Sequence, residues 1–383
     1  VTLPVLVIGA GLAGTVAAAR LQARGVPARV LADRPGATLL HGGGWLLGPD
    51  ALREHHPVAE AALDDALDFV RIGLESLALT EGLFDLPDVE GARRTCELAP
   101  ATHAVVDGFG KGHAVADLAP LGHPFAAMQG RGTVVAVDWP PYPDVFGRSF
   151  AAMAHRLEAD PAEPARLIQA LKRGLEGTRH DALLLPPILG ISRTESLRRL
   201  VADALGMPVG EALDALPSTP GFRLHAALTA WLAAARVPTQ TARVSSISLD
   251  PLGVQVGDLL LPARAIVLAT GRYLTGGLTM HPAVREPLAD LPLTPTVPTN
   301  PLWGARADGP YDGRVFETGV GHDPGFRALG LDGRPVHPHV YAVGDLLGGV
   351  DALTQGHASG LCIASAWVAA TTIADAFANK ETT

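Results

Sequence analysis

The chain has 383 residues, of which 18% are charged, with a formal net charge of −9 and a mean hydropathy of +0.23. That length exceeds one minimal core and suits a protein of two parts. The acidic balance excludes a nucleic-acid-binding surface and a polybasic membrane anchor. Two cysteines, Cys96 and Cys362, exclude a disulfide framework and a cysteine-ligated cluster; no metal site is expected, and a reduced, cytoplasmic setting is.

Leu3–Ile8 is a continuous apolar run and predicts a strand buried on both faces of a parallel sheet. It ends in Gly9-Ala10-Gly11-Leu12-Ala13-Gly14, and Thr15–Leu21 reads as the helix that follows. This G-x-G-x-x-G pattern predicts a dinucleotide site: Gly9 for the tight turn, Gly11 for pyrophosphate approach, Gly14 for close helix–strand packing. The phosphates would sit on the helix N-terminus, where unpaired N–H groups favour an anion. A second strand, Ala28–Leu31, should end in an acid for the adenosine ribose; Ala32 holds that position, and Asp33, one residue on, is the candidate.

Gly42, Gly43 and Gly44, inside Thr38–Gly48, suit close approach of backbone to a cofactor. Glu60–Leu79 reads as a helix, and Cys96–Val137 changes to short apolar runs cut by Gly and Pro, as for strands of an inserted domain. Phe150–Leu157, Pro164–Leu175 and Glu195–Leu205 read as helices, with Pro186–Gly190 a rigid turn between them. Leu224–Ala235 reads as a helix, Arg243–Leu249 with Gly253–Val256 as a hairpin, and Ala265–Gly271 as a second buried strand ending in glycine. Pro292–Asp312 reads as loop. Val340–Asp345 is a strand ending in Gly344-Asp345, and Leu361–Ala374 an apolar helix short of the ~20 residues a membrane span needs.

Three signals in order, the glycine turn, Leu268-Ala269-Thr270-Gly271 and Ala342-Val343-Gly344-Asp345, resemble a two-dinucleotide-binding-domain flavoprotein of the glutathione-reductase type. That resemblance implies a discontinuous, Rossmann-like α/β cofactor domain (residues 1–90 and 222–383) around an inserted α+β substrate or cap domain (91–221). It also implies Gly271, Gly344 and Asp345 at the flavin, and a helix starting near Gly356 with its positive end toward the ring.

A narrower resemblance is to the B-subunit family of anaerobic glycerol-3-phosphate dehydrogenase. Leu184–Gly190, Leu216-Pro217-Ser218-Thr219-Pro220-Gly221-Phe222-Arg223-Leu224, Leu268–Leu278 with Arg285-Glu286-Pro287, and Val343–Asp351 through Gln355-Gly356 and Gly360 carry it. It implies oxidation of sn-glycerol 3-phosphate, a small phosphorylated polyol, to dihydroxyacetone phosphate. Electrons would pass to flavoprotein and iron–sulfur subunits of a membrane-associated complex and on to quinone, with this chain held peripherally at the inner face by a partner and no span of its own. The cofactor expected is FAD, with FMN as the alternative.

The chemistry asks for a base and a phosphate clamp. His41, His322 and His357 are the base candidates, and Arg223 and Arg272 the clamp candidates. Two other readings stand beside this one: an electron-relaying or non-catalytic flavoprotein subunit, and a flavin oxidase or dehydrogenase of amino or hydroxy acids.

Overall fold

The computed structural model describes residues 2–87, 93–100, 102, 126–129, 134–136, 150–176, 183–213, 218–280, 283–295, 314–351 and 358–381. Most of the loop expected over 292–312 lies outside the described residues. The chain forms two compact units: Val1–Ala37, Leu46–Gly73 and Leu228–Thr383 make one, Thr38–Trp45 and Leu74–Ala227 the other.

The first unit is built on a five-stranded sheet, all parallel, in the order Val340–Ala342, Ala265–Leu268, Val5–Ile8, Ala28–Ala32, Thr239–Thr241. The apolar run read at the N-terminus is thus the central strand, and no residue of Val5–Ile8 is more than 6% exposed. Connections leave it to one side toward Ala28–Ala32 and arrive on the other at Ala265–Leu268. Its carboxyl end is therefore a topological switch point, where open α/β sheets bind ligands. This is the Rossmann-like α/β fold expected.

Alanines let two helices approach closely beside this sheet. Leu12–Ala23 packs on Ala358–Glu381, with the Arg20 guanidinium 3.6 Å over the Trp367 ring and Arg24 paired to Asp375 at 2.6 Å. The C-terminal helix is longer than the apolar stretch suggests. Among the described residues it is the one helix long and apolar enough to cross a membrane. Its Leu361, Ile363, Ala364, Ala366, Ala369, Ala370 and Ile373 are nevertheless fully buried within the unit, so those apolar positions already have protein neighbours. The hairpin expected at 243–256 gains a third strand, Leu259–Pro262, and becomes an antiparallel meander.

The second unit is α+β. Val134–Ala136, Ala126–Gln129, Leu183–Leu185 and Val209–Glu211 form a mixed sheet in that order. Helices Phe150–Ala159, Glu163–Leu175 and Thr194–Leu205 match the three read from sequence. Their apolar stripes bury Leu157, Leu167, Leu171 and Val201 against Leu183, Leu185 and Val209. The strand Leu79–Pro87 pairs with Arg93–Pro100, and Trp45 bridges to Leu98, which is why residues 38–45 and 74–87 fold with this unit and not with the first. The helix expected over 60–79 is observed as Pro57–Ala61 and Leu63–Gly73, and Gly73 lets the last turn pack directly on the Trp231 ring, which a Cβ there would overlap.

The glycine turn gives this fold a stability test. A Cβ on Gly14 would overlap the Gly9 carbonyl, so Gly14→Ala should cost about 1–3 kcal/mol of overpacking strain. Denaturant unfolding of the ligand-free protein should show that loss; a midpoint equal to the wild type would contradict the tight helix–strand packing.

Candidate cofactor site

In the first unit Gly9 and Gly14 make the tight turn and the close packing that the pattern predicts. Gly9 has φ of +114°, and a Cβ on it would strike the Ala269 carbonyl, so only glycine lets the first strand meet the end of Ala265–Leu268. Gly14 packs on Gly9. Gly11 differs from both: a Cβ there would come no nearer than 3.8 Å to any protein atom, the closest being Gly36 Cα. The space over Gly11 is therefore left open by the protein.

Gly11 is also the N-cap of Leu12–Ala23, with no side-chain cap and no acid in the first turn. The leading N–H groups are thus not claimed by a side chain, as anion binding requires. Nearby, the Thr270 hydroxyl is buried with no hydrogen-bond partner among the described residues, and its backbone N would lie 3.5 Å from a Gly9 Cβ. A glycine cradle, an uncapped helix start and an orphaned hydroxyl fit a dinucleotide pyrophosphate. Asp33 follows the strand Ala28–Ala32 as expected, and its carboxylate accepts from Arg34 at 3.1 and 3.2 Å, which holds it below the usual carboxylate range.

The third signal converges on the same helix. Gly344 has φ of +71°, and a Cβ on it would meet Ala13 of the glycine-turn helix and Cys362 of the C-terminal helix. Its N–H donates to Ser365 Oγ at 2.9 Å. Asp345 follows, its side chain about a third exposed, and burial raises its carboxyl above the usual range while Arg272 opposes that shift. Burial also pushes the Cys362 thiol up to about 12, so it is no thiolate nucleophile.

Gly271, at φ of +67°, turns the chain so that Arg272 enters this loop. Arg272 is not aimed at an open phosphate site. Its Nε donates to Asp345 O at 2.9 Å and its Nη2 to Leu347 O at 2.8 Å. Gly356 and His357 lie outside the described residues. The C-terminal helix is described from Ala358, and its Ser359 and Gly360 N–H groups both donate to Leu46 O, so two leading donors serve the protein's own backbone.

His322, also in the first unit, does not fit a base. Its Nδ1 must donate to Asp323 O at 2.8 Å, so its Nε2 lone pair receives the His56 Nδ1–H at 3.1 Å. Burial lowers its affinity for a proton, and it stacks on Phe326 at 4.4 Å.

The second unit holds the other candidates. A pocket there is lined by His41, Gly43, Ser76, Thr102, Glu195 and Arg223 with apolar neighbours. Gly43 N–H donates to His41 Nδ1 at 3.2 Å, which puts the proton of the neutral ring on Nε2. Gly44 is filled by Cys96, 3.1 Å from a Cβ position, so it serves packing inside this unit.

Arg223 reaches the pocket wall, but its fork is taken. Nη1 and Nη2 bind Glu211 at 2.6 and 3.0 Å and Nε donates to Gly190 O at 2.8 Å, with both side chains nearly fully buried. Charge neutralised this way is not a phosphate clamp. The whole Ser218–Leu224 motif has a structural reading. Ser218 caps the helix Thr219–Ala234 by accepting Gly221 N–H at 3.0 Å and donates to the His41 carbonyl, and Gly221 lets the helix touch Leu39. Sequence reasoning missed Glu211, since nothing at that position signals an ion partner.

No family model matches the chain. It is 26% identical over 428 residues to a protein of Halobacterium salinarum named as the probable B-subunit of an anaerobic glycerol-3-phosphate dehydrogenase, covering 97% of this chain and 98% of that one. The chain is a relative of these B-subunit proteins. Bacterial proteins named as the B-subunit of anaerobic glycerol-3-phosphate dehydrogenase match about half of each chain. That of Pectobacterium atrosepticum is 29% identical over 226 residues (55% and 50%), and that of Yersinia pseudotuberculosis 30% over 201 (49% and 45%). Among solved structures, a 3-ketosteroid Δ1-dehydrogenase from Sterolibacterium denitrificans superposes with a TM-score of 0.46 at 12% identity, covering 98% of this chain and 99% of that one. A flavocytochrome c3 fumarate reductase gives 0.39, also at 12% identity, covering 97% and 78%.

The buried ion pair separates structure from substrate binding. Arg223→Met removes the guanidinium from the buried Glu211 carboxylate, which keeps the Leu189 N–H at 2.6 Å but loses its neutralising charge, and should destabilise the protein by about 3–5 kcal/mol. A full-strength melting curve for that variant would contradict the internal role and return the guanidinium to a ligand.

Proposed function

We propose that this relative of the B-subunit proteins is the FAD-binding, electron-carrying member of a multi-subunit dehydrogenase that oxidises sn-glycerol 3-phosphate to dihydroxyacetone phosphate. The observation that carries the reading is the open position over Gly11 at an uncapped helix start, at the switch point of a parallel sheet. When bound there, FAD would supply two-electron acceptance with one-electron release, the chemistry that coupling a dehydrogenation to an iron–sulfur carrier requires. The chain's own part is to hold the pyrophosphate on backbone N–H groups, to present Asp345 to the ligand's hydroxyls, and to keep the buried Cys362 inert. Pyrophosphate chemistry favours FAD over FMN. The iron–sulfur subunit is proposed as partner because the relatives are named as subunits and two cysteines cannot hold a cluster. Attachment to the inner face of a membrane would be made through that partner.

Both arginines considered as phosphate clamps are bound to this protein's own groups. This supports an electron carrier whose substrate is oxidised with a partner's help. The pocket with His41 and the Ser76 and Thr102 hydroxyls favours the second reading, oxidation on this chain itself. Anaerobic mixing of the FAD-loaded chain with glycerol 3-phosphate, followed by flavin absorbance, decides between them. The carrier reading predicts that glycerol 3-phosphate leaves the flavin oxidised, whereas dithionite bleaches it and a quinone analogue restores it. Bleaching by glycerol 3-phosphate with the isolated chain would place the oxidation here.

A further inference from the structure

Arg272 is buried, and its guanidinium spends its donors on one short stretch of backbone. Nε binds Asp345 O at 2.9 Å, Nη2 binds Leu347 O at 2.8 Å and Val350 O at 3.4 Å, and Nη1 reaches Val350 O at 3.5 Å. Three carbonyls within six residues are thus held by one planar cation. The same cation lies 3.6 Å from the Asp345 carboxylate, near enough for attraction and too far for a hydrogen bond. The arginine therefore supplies Asp345 with a counter-charge while leaving its oxygens to accept from other donors.

The loop has need of such a strut. It contains left-handed glycines at 344 and 349, and its Gly348 and Gly349 N–H groups are tied to Val320 O and Glu317 O. We infer that Arg272 is a positioning residue for the cofactor: it locks the Gly344–Val350 loop in the shape that offers the Asp345 carboxyl to ligand hydroxyls. The inference rests on the flavin reading above and gives a specific task to a residue whose sequence setting suggests a phosphate clamp. A lysine cannot replace it, since an ammonium keeps the charge but lacks the fork that spans the three carbonyls.

Titration of apoprotein with FAD, followed by flavin fluorescence, tests this. Arg272→Lys should raise the FAD Kd at least about tenfold, and Arg272→Met further. The charged and titratable groups around the Asp345 carboxyl are Arg272, Asp351 and the Cys362 thiol. Without the arginine the carboxyl titrates closer to neutrality, so the Met variant should lose affinity as pH falls from mildly alkaline to mildly acidic. The Arg272→Met, Asp345→Asn double variant should lose that dependence. Wild-type affinity in the Lys variant, or a Met loss that ignores pH, overturns the inference. Should the Arg272 variants fail to fold, Asp345→Asn leaves the carbonyl clamp whole and still decides. Weakened FAD binding supports the presented carboxylate, and unchanged binding overturns it. A wild type that takes up no FAD overturns the flavin reading itself, which separates the two failures.

Discussion

The first unit depends on one close approach at the carboxyl end of its central strand. Gly9 touches the Ala269 carbonyl, Gly14 touches Gly9, and any side chain at either point would push helix, turn and neighbouring strand apart. Two strands that are distant in sequence therefore meet in register, Val5–Ile8 against Ala265–Leu268, and the helix Leu12–Ala23 starts directly over their ends. Gly344 joins the same point from the other side, against Ala13 and Cys362. The place we propose for the pyrophosphate follows from this packing. It is the position over Gly11 where the protein stops filling space.

Two buried arginines show how the remaining loops are fixed. Arg223 binds Glu211 and Gly190, and Arg272 binds three carbonyls of the loop after Gly344. A guanidinium presents several donors in a rigid plane, so one residue can satisfy groups that would otherwise be buried unpaired. Each arginine sits within a stretch that the sequence alone points toward a substrate phosphate. The positions matter structurally, and their partners are the protein's own carboxylate and carbonyls.

The cofactor fold is legible in the sequence because its signals are local. A strand, a glycine turn and an alanine-rich helix occupy consecutive residues, and apolar runs ending in glycine mark the strands at 265 and 340. Amphipathic spacing gives the three helices of the second unit within a residue or two. What stays hidden is non-local. Glu211 pairs with an arginine across a strand–helix contact, and the carbonyls held by Arg272 lie more than seventy residues away. The third meander strand, Leu259–Pro262, is mostly exposed and short. Ser218-Thr219-Pro220 is a helix start by its capping residue and early proline, a signal masked in the sequence by its likeness to a family motif.

A pyrophosphate lying over Gly11 is the central claim. Denaturing the purified wild type and a Gly11→Val variant, and quantifying the flavin each releases, tests it most directly. The expected result is FAD at about one per chain from the wild type, and none from a Gly11→Val protein whose ligand-free melting is unchanged, because that side chain enters only the ligand's space. FAD retained by Gly11→Val, or a wild type that releases no FAD and cannot be reconstituted with it, would contradict the claim.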